Sequence, residues 1–314
     1  MPTPSLSRRR FLQTTLAAGT AFTVAPTFGA FSSNPSKSVR LGAPVFGAPA
    51  DPDGLAKAHR DLGYRAAYCP NIDLADKERI RDTEAAFEKH DVVIAEVGRW
   101  VNLMDSDPEK RKQNHAFVTE GLALAEAVGA RCCVDIAGSF NEEVWYGPHP
   151  KNFSQEFFDA AVENARKIID AVKPKRTKFA YEMMGWARPD SADSYLALLK
   201  AIDRPGFAVH LDPCNAINCP ERFYDNTALL NECFDKLGPH IASCHAKDLS
   251  WEVEMNVHFR EVVLGTGCLD YKTFLARLAA LPGEVPLMIE HMKDKEEYDR
   301  SREYVFKVAS MYSR

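Results

Sequence analysis

The chain has 314 residues, of which 46% are hydrophobic and 26% are charged. This composition is typical of a folded globular protein and excludes a fibrous or disordered chain. The formal net charge is −5 and no extended basic stripe runs through residues 31–314, which argues against a nucleic acid as partner. The length suits either two average domains or one large α/β barrel, and the pattern of predicted elements distinguishes the two.

Residues 1–30 differ from the rest of the chain, because they lack Asp and Glu and contain three consecutive arginines, Arg8 to Arg10. The Ala-, Thr- and Gly-rich stretch that follows is too short and too interrupted for a membrane span of about 20 residues. The Ser-Arg-Arg-x-Phe-Leu run at residues 7–12 resembles the twin-arginine export signal. We therefore expect a signal peptide at 1–30, cleaved near Ala30, a linker at 31–38, and a mature protein that is periplasmic or otherwise exported through the twin-arginine route, without a membrane span.

Eight cysteines in an exported protein raise the question of disulfide bonds. They are spread over the chain without a Cys-x-x-Cys pair, which predicts that most are free and buried. Cys214 and Cys219 flank a loop and are the one pair that we consider able to form a bridge.

From residue 39 onward, eight short apolar runs alternate with longer amphipathic segments. Most of the runs are apolar throughout, as expected for strands that are covered on both faces. No Gly- or Ser-rich linker interrupts the alternation, and no Gly-x-Gly-x-x-Gly follows the first run, so an open doubly wound sheet is disfavoured. The pattern predicts one α/β domain over residues 39–314, a single (β/α)8 TIM barrel. The predicted strands are residues 39–43, 65–68, 92–97, 131–136, 178–182, 207–212, 241–245 and 287–290.

The clearest predicted helices lie between these runs. Pro108 is placed to begin one of them, and the Pro205-Gly206 pair separates another helix from the sixth strand. The helices are predicted at residues 108–130, 157–172, 191–202, 227–237, 271–281 and 293–308.

The last four predicted strands each end in a side chain that can bind a metal ion. Barrel active sites lie at the C-terminal strand ends, and neighbouring strands are about 4.8 Å apart, so four successive ends can converge. Three carboxylates and one imidazole suit a single divalent cation, Mn²⁺ first and Mg²⁺, Co²⁺ or Zn²⁺ as alternatives. Without a cation, three close carboxylates would repel one another. The predicted ligands are Glu182, Asp212, His245 and Glu290.

With these four residues the chain resembles the xylose isomerase-like TIM barrels, and in particular their sugar isomerase and epimerase branch. The His-Ala-Lys-Asp run at 245–248 and the Gly-x-Gly-x-x-Asp run at 265–270 are also similar to that group, and the resemblance spans residues 39–314. It implies a metal-dependent sugar isomerase or epimerase, in which the metal holds two vicinal oxygens of a ketose. By the same resemblance, Glu182 and Glu290 remove and return the proton beside the carbonyl on opposite faces.

Two other hypotheses stay open. Asn215 stands where the epimerases have a histidine three residues after the aspartate, and His149 lies in the loop after the fourth strand. Both features suit a lyase that eliminates an aglycone from a 3-keto-glycoside, with His149 as the catalytic base, similar to C-glycoside-cleaving members of the group. The third hypothesis is a non-catalytic carbohydrate-binding barrel.

The substrate is expected to be a non-phosphorylated sugar or glycoside, since the protein is predicted to be exported and lacks a Gly-rich phosphate loop. Aromatic side chains near the rim are suited to stack on sugar faces. A homo-oligomer stays open. The candidate substrate-binding residues, which all lie on the last strands or in loops after strands, are His210, Asn215, Lys247, His258, Arg260 and Trp145.

Overall fold

Eight parallel strands close into a barrel in the computed structural model, which describes residues 39–311 of the chain. Consecutive barrel strands pair with one another and the last pairs with the first, so the predicted (β/α)8 TIM barrel is confirmed. The signal peptide and linker predicted at residues 1–38 lie outside the described residues. In chain order the strands are β1 (Arg40–Gly42), β2 (Ala66–Tyr68), β3 (Val93–Gly98), β4 (Cys132–Asp135), β5 (Lys178–Glu182), β6 (Phe207–Leu211), β7 (Ile241–Ala246), β8 (Asp248–Trp251), β9 (Phe259–Val262) and β10 (Pro286–Ile289), of which β8 and β9 form a separate hairpin.

The helices between the strands begin at side chains that cap their first turn. In the helix that follows β3, for example, Asp107 accepts the backbone N–H groups of Glu109 and Lys110, and Gly129 ends the helix with a φ of +73°. All six predicted helices are present, with ends within two residues of the prediction. The α-helices of the described residues are α1 (Pro52–Asp61), α2 (Lys77–Lys89), α3 (Pro108–Val128), α4 (Gln155–Val172), α5 (Ala192–Ile202), α6 (Pro213–Ala216), α7 (Pro220–Tyr224), α8 (Asn226–Leu237), α9 (Tyr271–Ala279) and α10 (Lys295–Ser310).

The strand register brings the C-terminal ends of β5, β6, β7 and β10 to one rim of the barrel. Glu182 at the end of β5 pairs with His210 of β6, and His245 of β7 pairs with Met288 of β10. Asp212 and Glu290 directly follow β6 and β10. The side chains that end these four strands are therefore close in space.

The connection after β7 folds into the β8–β9 hairpin, where the sequence predicted only a loop. Asp248 holds the base of this hairpin, because its carboxylate accepts the backbone N–H groups of Leu249, Gly265, Gly267 and Leu269 at 2.9–3.0 Å. Gly265 has a φ of +85°, in the left-handed region that favours glycine. The Gly-x-Gly-x-x-Asp run thus belongs to a structural turn.

All eight cysteines lie within the described residues and none is paired, so the prediction of free cysteines is confirmed and the Cys214–Cys219 bridge does not form. Five of the eight are buried. Among the described residues, no helix combines the length and the apolar character needed to cross a membrane.

Candidate metal centre

The four strand-end side chains predicted as metal ligands converge at the C-terminal rim. One donor atom from each of Glu182, Asp212, His245 and Glu290 lies within 4.8 Å of the others. Asp212 also caps α6: its Oδ1 accepts the N–H of Asn215 at 3.1 Å, which leaves its Oδ2 to face the cluster. The short helix therefore fixes the direction of one ligand.

The imidazole of His245 cannot satisfy all the anionic oxygens that surround it. His245 Nδ1 lies 2.8 Å from Oε1 of both Glu182 and Glu290 and 3.8 Å from Asp212 Oδ2, yet this nitrogen carries at most one proton. Burial alone would lower the pKa of His245, but the surrounding carboxylates raise it well above its usual value. Asp212 Oδ2 and Glu290 Oε1 are buried without a well-oriented hydrogen bond. Three carboxylates and one imidazole are a donor set that fits a divalent cation.

Lys247 places a positive charge inside the same cluster. Its Nζ lies 2.6 Å from Glu290 Oε1, 2.9 Å from Asp212 Oδ2 and 3.7 Å from Glu182 Oε1. Burial opposes the charge on Lys247, but these carboxylates outweigh burial and raise its pKa well above the usual value. Asn215 joins the group, since its amide donates to Glu182 Oε1 at 3.2 Å and accepts from Lys247 at 3.3 Å.

The two glutamates of the cluster differ in electrostatic environment. Burial raises the pKa of Glu182. Burial also acts on Glu290, but the charges of His245 and Lys247 outweigh it and lower the pKa of Glu290 to about 2. Two carboxylates whose pKa values are shifted in opposite directions are typical of acid and base pairs.

Glu96 and His210 lie directly beneath the cluster, in the barrel interior. Glu96 Oε1 is 3.2 Å from His245 Nε2, and Glu96 Oε2 is 2.7 Å from His210 Nε2. Burial would raise the pKa of Glu96, but the charges of the two histidines lower it to about 2. His210, predicted to bind substrate, is instead fully buried against Glu96 and does not line the cavity above the cluster. Glu96 was not predicted, although a carboxylate in the middle of a buried strand was a usable signal.

A cavity of about 650 Å³ opens above the cluster. Its size is within the range of roughly 300–1,000 Å³ typical of small-molecule sites. Trp145, Asn215 and Lys247, which were predicted to bind substrate, line it together with Glu182 and Glu290. Its aromatic lining residues are Trp100, Trp145, Tyr146, Trp186 and Phe259.

Like His210, three further residues predicted to act on or bind the substrate do not line this cavity. His149 caps the 3₁₀ helix Pro150–Phe153, where its Nδ1 accepts the N–H of Lys151 at 3.3 Å. His258 and Arg260 lie on the exposed face of the hairpin, where they pair with Glu254 and Glu252. The predicted contacts of these side chains with a substrate in the cavity are therefore not supported by their positions.

Glu261 and His291 line the cavity and were not predicted. Glu261 Oε2 lies 2.7 Å from His291 Nδ1. Neighbouring residues in a strand face opposite sides, so the hairpin turns Glu261 toward the cavity and Arg260 toward solvent. His291 directly follows Glu290 and has a φ of +60°, a left-handed conformation that is uncommon for a residue other than glycine. Such conformations are frequent at functional sites.

The barrel fold belongs to a known family. Residues 56–308 match the xylose isomerase-like TIM barrel family, and the chain belongs to that family. No curated protein sequence matches the chain.

Solved structures share this fold at low sequence identity. A xylose isomerase-like TIM barrel protein from Mycobacterium smegmatis in complex with magnesium has a TM-score of 0.60 at 17% identity, covering 90% of this chain and 99% of that one. The 3-keto-D-glucoside 4-epimerase from E. coli has a TM-score of 0.59 at 14% identity, covering 86% and 99%. Endonuclease IV from Thermus thermophilus has a TM-score of 0.63 at 18% identity, covering 86% and 98%. At these identities the similarity shows the fold alone.

Proposed function

We propose that the protein is a divalent-metal-dependent isomerase or epimerase of a non-phosphorylated sugar. The observation that carries the proposal is the position of Glu182 and Glu290, whose Oε1 atoms each lie 2.8 Å from His245 Nδ1 at the base of an aromatic cavity. The fold relative that is a 3-keto-D-glucoside epimerase is consistent with this proposal.

The two glutamates are placed to act on one substrate from different directions. Glu182 ends β5 and Glu290 follows β10, and two other strands, β6 and β7, lie between them around the barrel. One carboxylate can take a proton from a carbon beside a carbonyl while the other returns it from the other side. Lys247 and the Asn215 amide, which also line the cavity, can hold substrate oxygens by hydrogen bonds.

The same four side chains, Glu182, Asp212, His245 and Glu290, would hold the metal ion. A bound divalent cation would polarise the substrate carbonyl and stabilise the negative charge that develops on its oxygen. The carboxylate-rich donor set suits Mn²⁺ and Mg²⁺, and the imidazole admits Co²⁺ and Zn²⁺. We propose Mn²⁺ as the first metal to test.

The charge of the cavity favours a neutral substrate. Among the described residues that line the cavity, Lys247 is the only lysine, and there is no arginine. Three carboxylates of the cluster already surround Lys247. Glu261 adds a further acid at the wall. A phosphate group would meet this acidic wall without a free cation, whereas Trp145 and Trp186 offer flat apolar faces to a sugar ring. A substrate outside the cytoplasm also agrees with the export that we propose for residues 1–30.

The experiment that tests the proposal measures proton exchange. Purified protein, reconstituted with Mn²⁺, is incubated in D₂O with ketoses, 3-keto-sugars and 3-keto-glycosides, and products are resolved by mass and by chromatography. We expect an epimer or isomer that carries one deuterium at the carbon beside the carbonyl. A released aglycone would instead identify the lyase.

The matched variants are Glu182→Gln and Glu290→Gln, with Glu303→Gln on the exposed side of α10 as control. Each cluster variant should lower product formation by about 10²–10⁴-fold, the usual contribution of one acid or base, while the control keeps full activity. Metal content is measured for every variant, so a loss of the proton-transfer group is separated from a loss of the ion. Full turnover in both cluster variants would refute the mechanism.

A further inference from the structure

We propose that Glu96 is a positioning residue for the metal centre: it holds the proton of His245 on Nε2, so that Nδ1 presents its lone pair to the carboxylate cluster. This inference rests on the proposed function, because it assigns a role toward the metal ion which that function requires. Glu96 does not line the cavity and is not one of the four residues that would bind the metal ion.

The two nitrogens of His245 face different groups. Nδ1 lies 2.8 Å from Oε1 of Glu182 and of Glu290, and Nε2 lies 3.2 Å from Oε1 of Glu96. An ionised carboxylate only accepts hydrogen bonds, so the hydrogen between Nε2 and Glu96 belongs to the imidazole. A divalent cation that binds His245 takes the place of any proton on Nδ1. With the remaining hydrogen held on Nε2, the lone pair of Nδ1, the atom that faces the cluster, is free for the metal ion.

His210 holds Glu96 in this orientation from the other side. Its Nε2 lies 2.7 Å from Glu96 Oε2, so both carboxylate oxygens are engaged by different histidines. The rings of His210 and His245 meet edge to face, with centroids 4.1 Å apart. Glu96 is 1% exposed and both histidines are 0% exposed, so water does not compete for these hydrogen bonds.

The arrangement also fixes the plane of the His245 ring. A hydrogen bond on the far nitrogen restrains rotation of a ligating imidazole and increases the basicity of the nitrogen that binds the metal. Trp100 packs against the same ring, with centroids 6.2 Å apart, and limits its movement from the cavity side. Loss of such a partner typically weakens metal binding by about 10–100-fold.

The test is the Mn²⁺ affinity of the full-length protein, measured by the electron paramagnetic resonance signal of free Mn²⁺ during titration. Glu96→Gln keeps the shape of the side chain and removes its charge, and we expect about 10–100-fold weaker binding. Glu126→Gln is the matched control: Glu126 accepts three backbone N–H groups at residues 175–177, just before β5 and at the opposite end of the barrel, so its loss affects structure without touching the cluster. We expect the control to bind Mn²⁺ as tightly as the unmodified protein.

His210 supplies a second, independent pair of variants. His210→Leu removes the donor that orients Glu96 and should weaken Mn²⁺ binding, whereas His210→Gln retains a donor near the same place and should restore part of the affinity. If Glu96→Gln does not fold, the Mn²⁺ affinities of His210→Leu and His210→Gln decide the question.

The tautomer is read directly by nitrogen NMR of ¹⁵N-histidine-labelled protein loaded with diamagnetic Mg²⁺. We expect the His245 resonances of a ring with hydrogen on Nε2, and a loss of this signature in Glu96→Gln. Unchanged Mn²⁺ affinity in Glu96→Gln and His210→Leu, or a hydrogen on Nδ1 in the loaded protein, would overturn the inference while leaving the proposed function intact. Failure of the unmodified protein to bind any divalent metal would overturn both.

Discussion

The ammonium nitrogen of Lys247 lies 2.6 Å from the carboxylate Oε1 of Glu290, inside the cluster that would hold a metal ion. Lys247 is 3% exposed and also faces Asp212 and Glu182. It therefore supplies part of the positive charge that keeps three carboxylates together when no cation is bound. Lys247 and a divalent cation are alternative sources of the same compensation.

This relationship predicts the effect of Lys247→Met on stability. Removing one partner of a buried ion cluster costs about 3–5 kcal/mol, so the metal-free variant should melt well below the metal-free parent protein. Added Mn²⁺ then replaces the missing charge, and the rise in Tm on adding Mn²⁺ should be larger in the variant. Calorimetry with a chelator and with saturating Mn²⁺ measures both quantities.

Lys295→Met is the control for this change, since Lys295 is exposed on α10 and pairs with Asp299 outside the cavity. It should leave the Tm nearly unchanged in both conditions. A metal-free Lys247→Met protein as stable as its parent would show that the ammonium does not compensate the carboxylates.

His59 predicts a pH dependence of stability that is independent of the metal centre. Burial on α1, between Tyr64 and Phe87, lowers the pKa of His59 to about 4 from its usual 6.5. Between these values the unfolded chain takes up a proton that the folded chain does not. Stability is therefore lost as the pH falls from 6.5 toward 4, by up to about 3 kcal/mol.

Urea unfolding of the parent and of His59→Leu at pH 7, 6, 5 and 4 checks this prediction. The variant lacks the titrating group, so its free energy of unfolding should decline less over this window. The exposed His240 provides the control variant His240→Leu for the substitution of a histidine by leucine. Identical slopes in His59→Leu and the parent would exclude His59 as the source.

Gly267→Ala is expected to destabilise the base of the hairpin. An added methyl group at Gly267 would overlap the Asp248 carboxylate and the carbonyl of Leu249, both of which take part in the turn. Overpacking of this kind costs about 1–3 kcal/mol. Gly238→Ala is the control, because its added methyl meets only the end of the flexible Leu281 side chain at 3.0 Å. Equal Tm values for the two variants would contradict this account.

The barrel and the rim cluster were accessible from sequence because each depends on a local rule. Strands covered on both faces are apolar throughout, and parallel barrel strands end at one rim, so Glu182 and Glu290 could be assigned to the same place from their positions after apolar runs. The order of the strands along the chain was enough to place the two glutamates at the same rim. The apolar pattern also set the strand limits, which agree with the structure at β5.

The sequence placed Glu96 in the third strand but did not reveal its role, because that role depends on contacts with residues that are distant in sequence. The hairpin was missed for the same reason. Glu96 lies inside the strand Val93–Gly98, and its partner His210 is 114 residues away in sequence. A local sequence pattern does not indicate that Glu96 and His210, on different strands, are in contact inside the barrel. In the loop after β7, the faces of Arg260 and Glu261 are set by the antiparallel pairing of β8 with β9, which the sequence analysis did not predict.

Arg260 and Glu261 are neighbours in sequence but face opposite sides of β9, so variants of the two test which side contacts the substrate. Glu261 lines the cavity and contacts His291 at 2.7 Å, whereas Arg260 pairs with Glu252 in solvent. Under the proposed function, Glu261→Gln should raise KM about tenfold, the effect of weakening one charge-assisted hydrogen bond, with a smaller change in kcat. Arg260→Met should leave both constants unchanged. Steady-state kinetics of the Mn²⁺-loaded variants measures this difference, and a KM that rises in Arg260→Met but not in Glu261→Gln would mean that the opposite face of β9 meets the substrate.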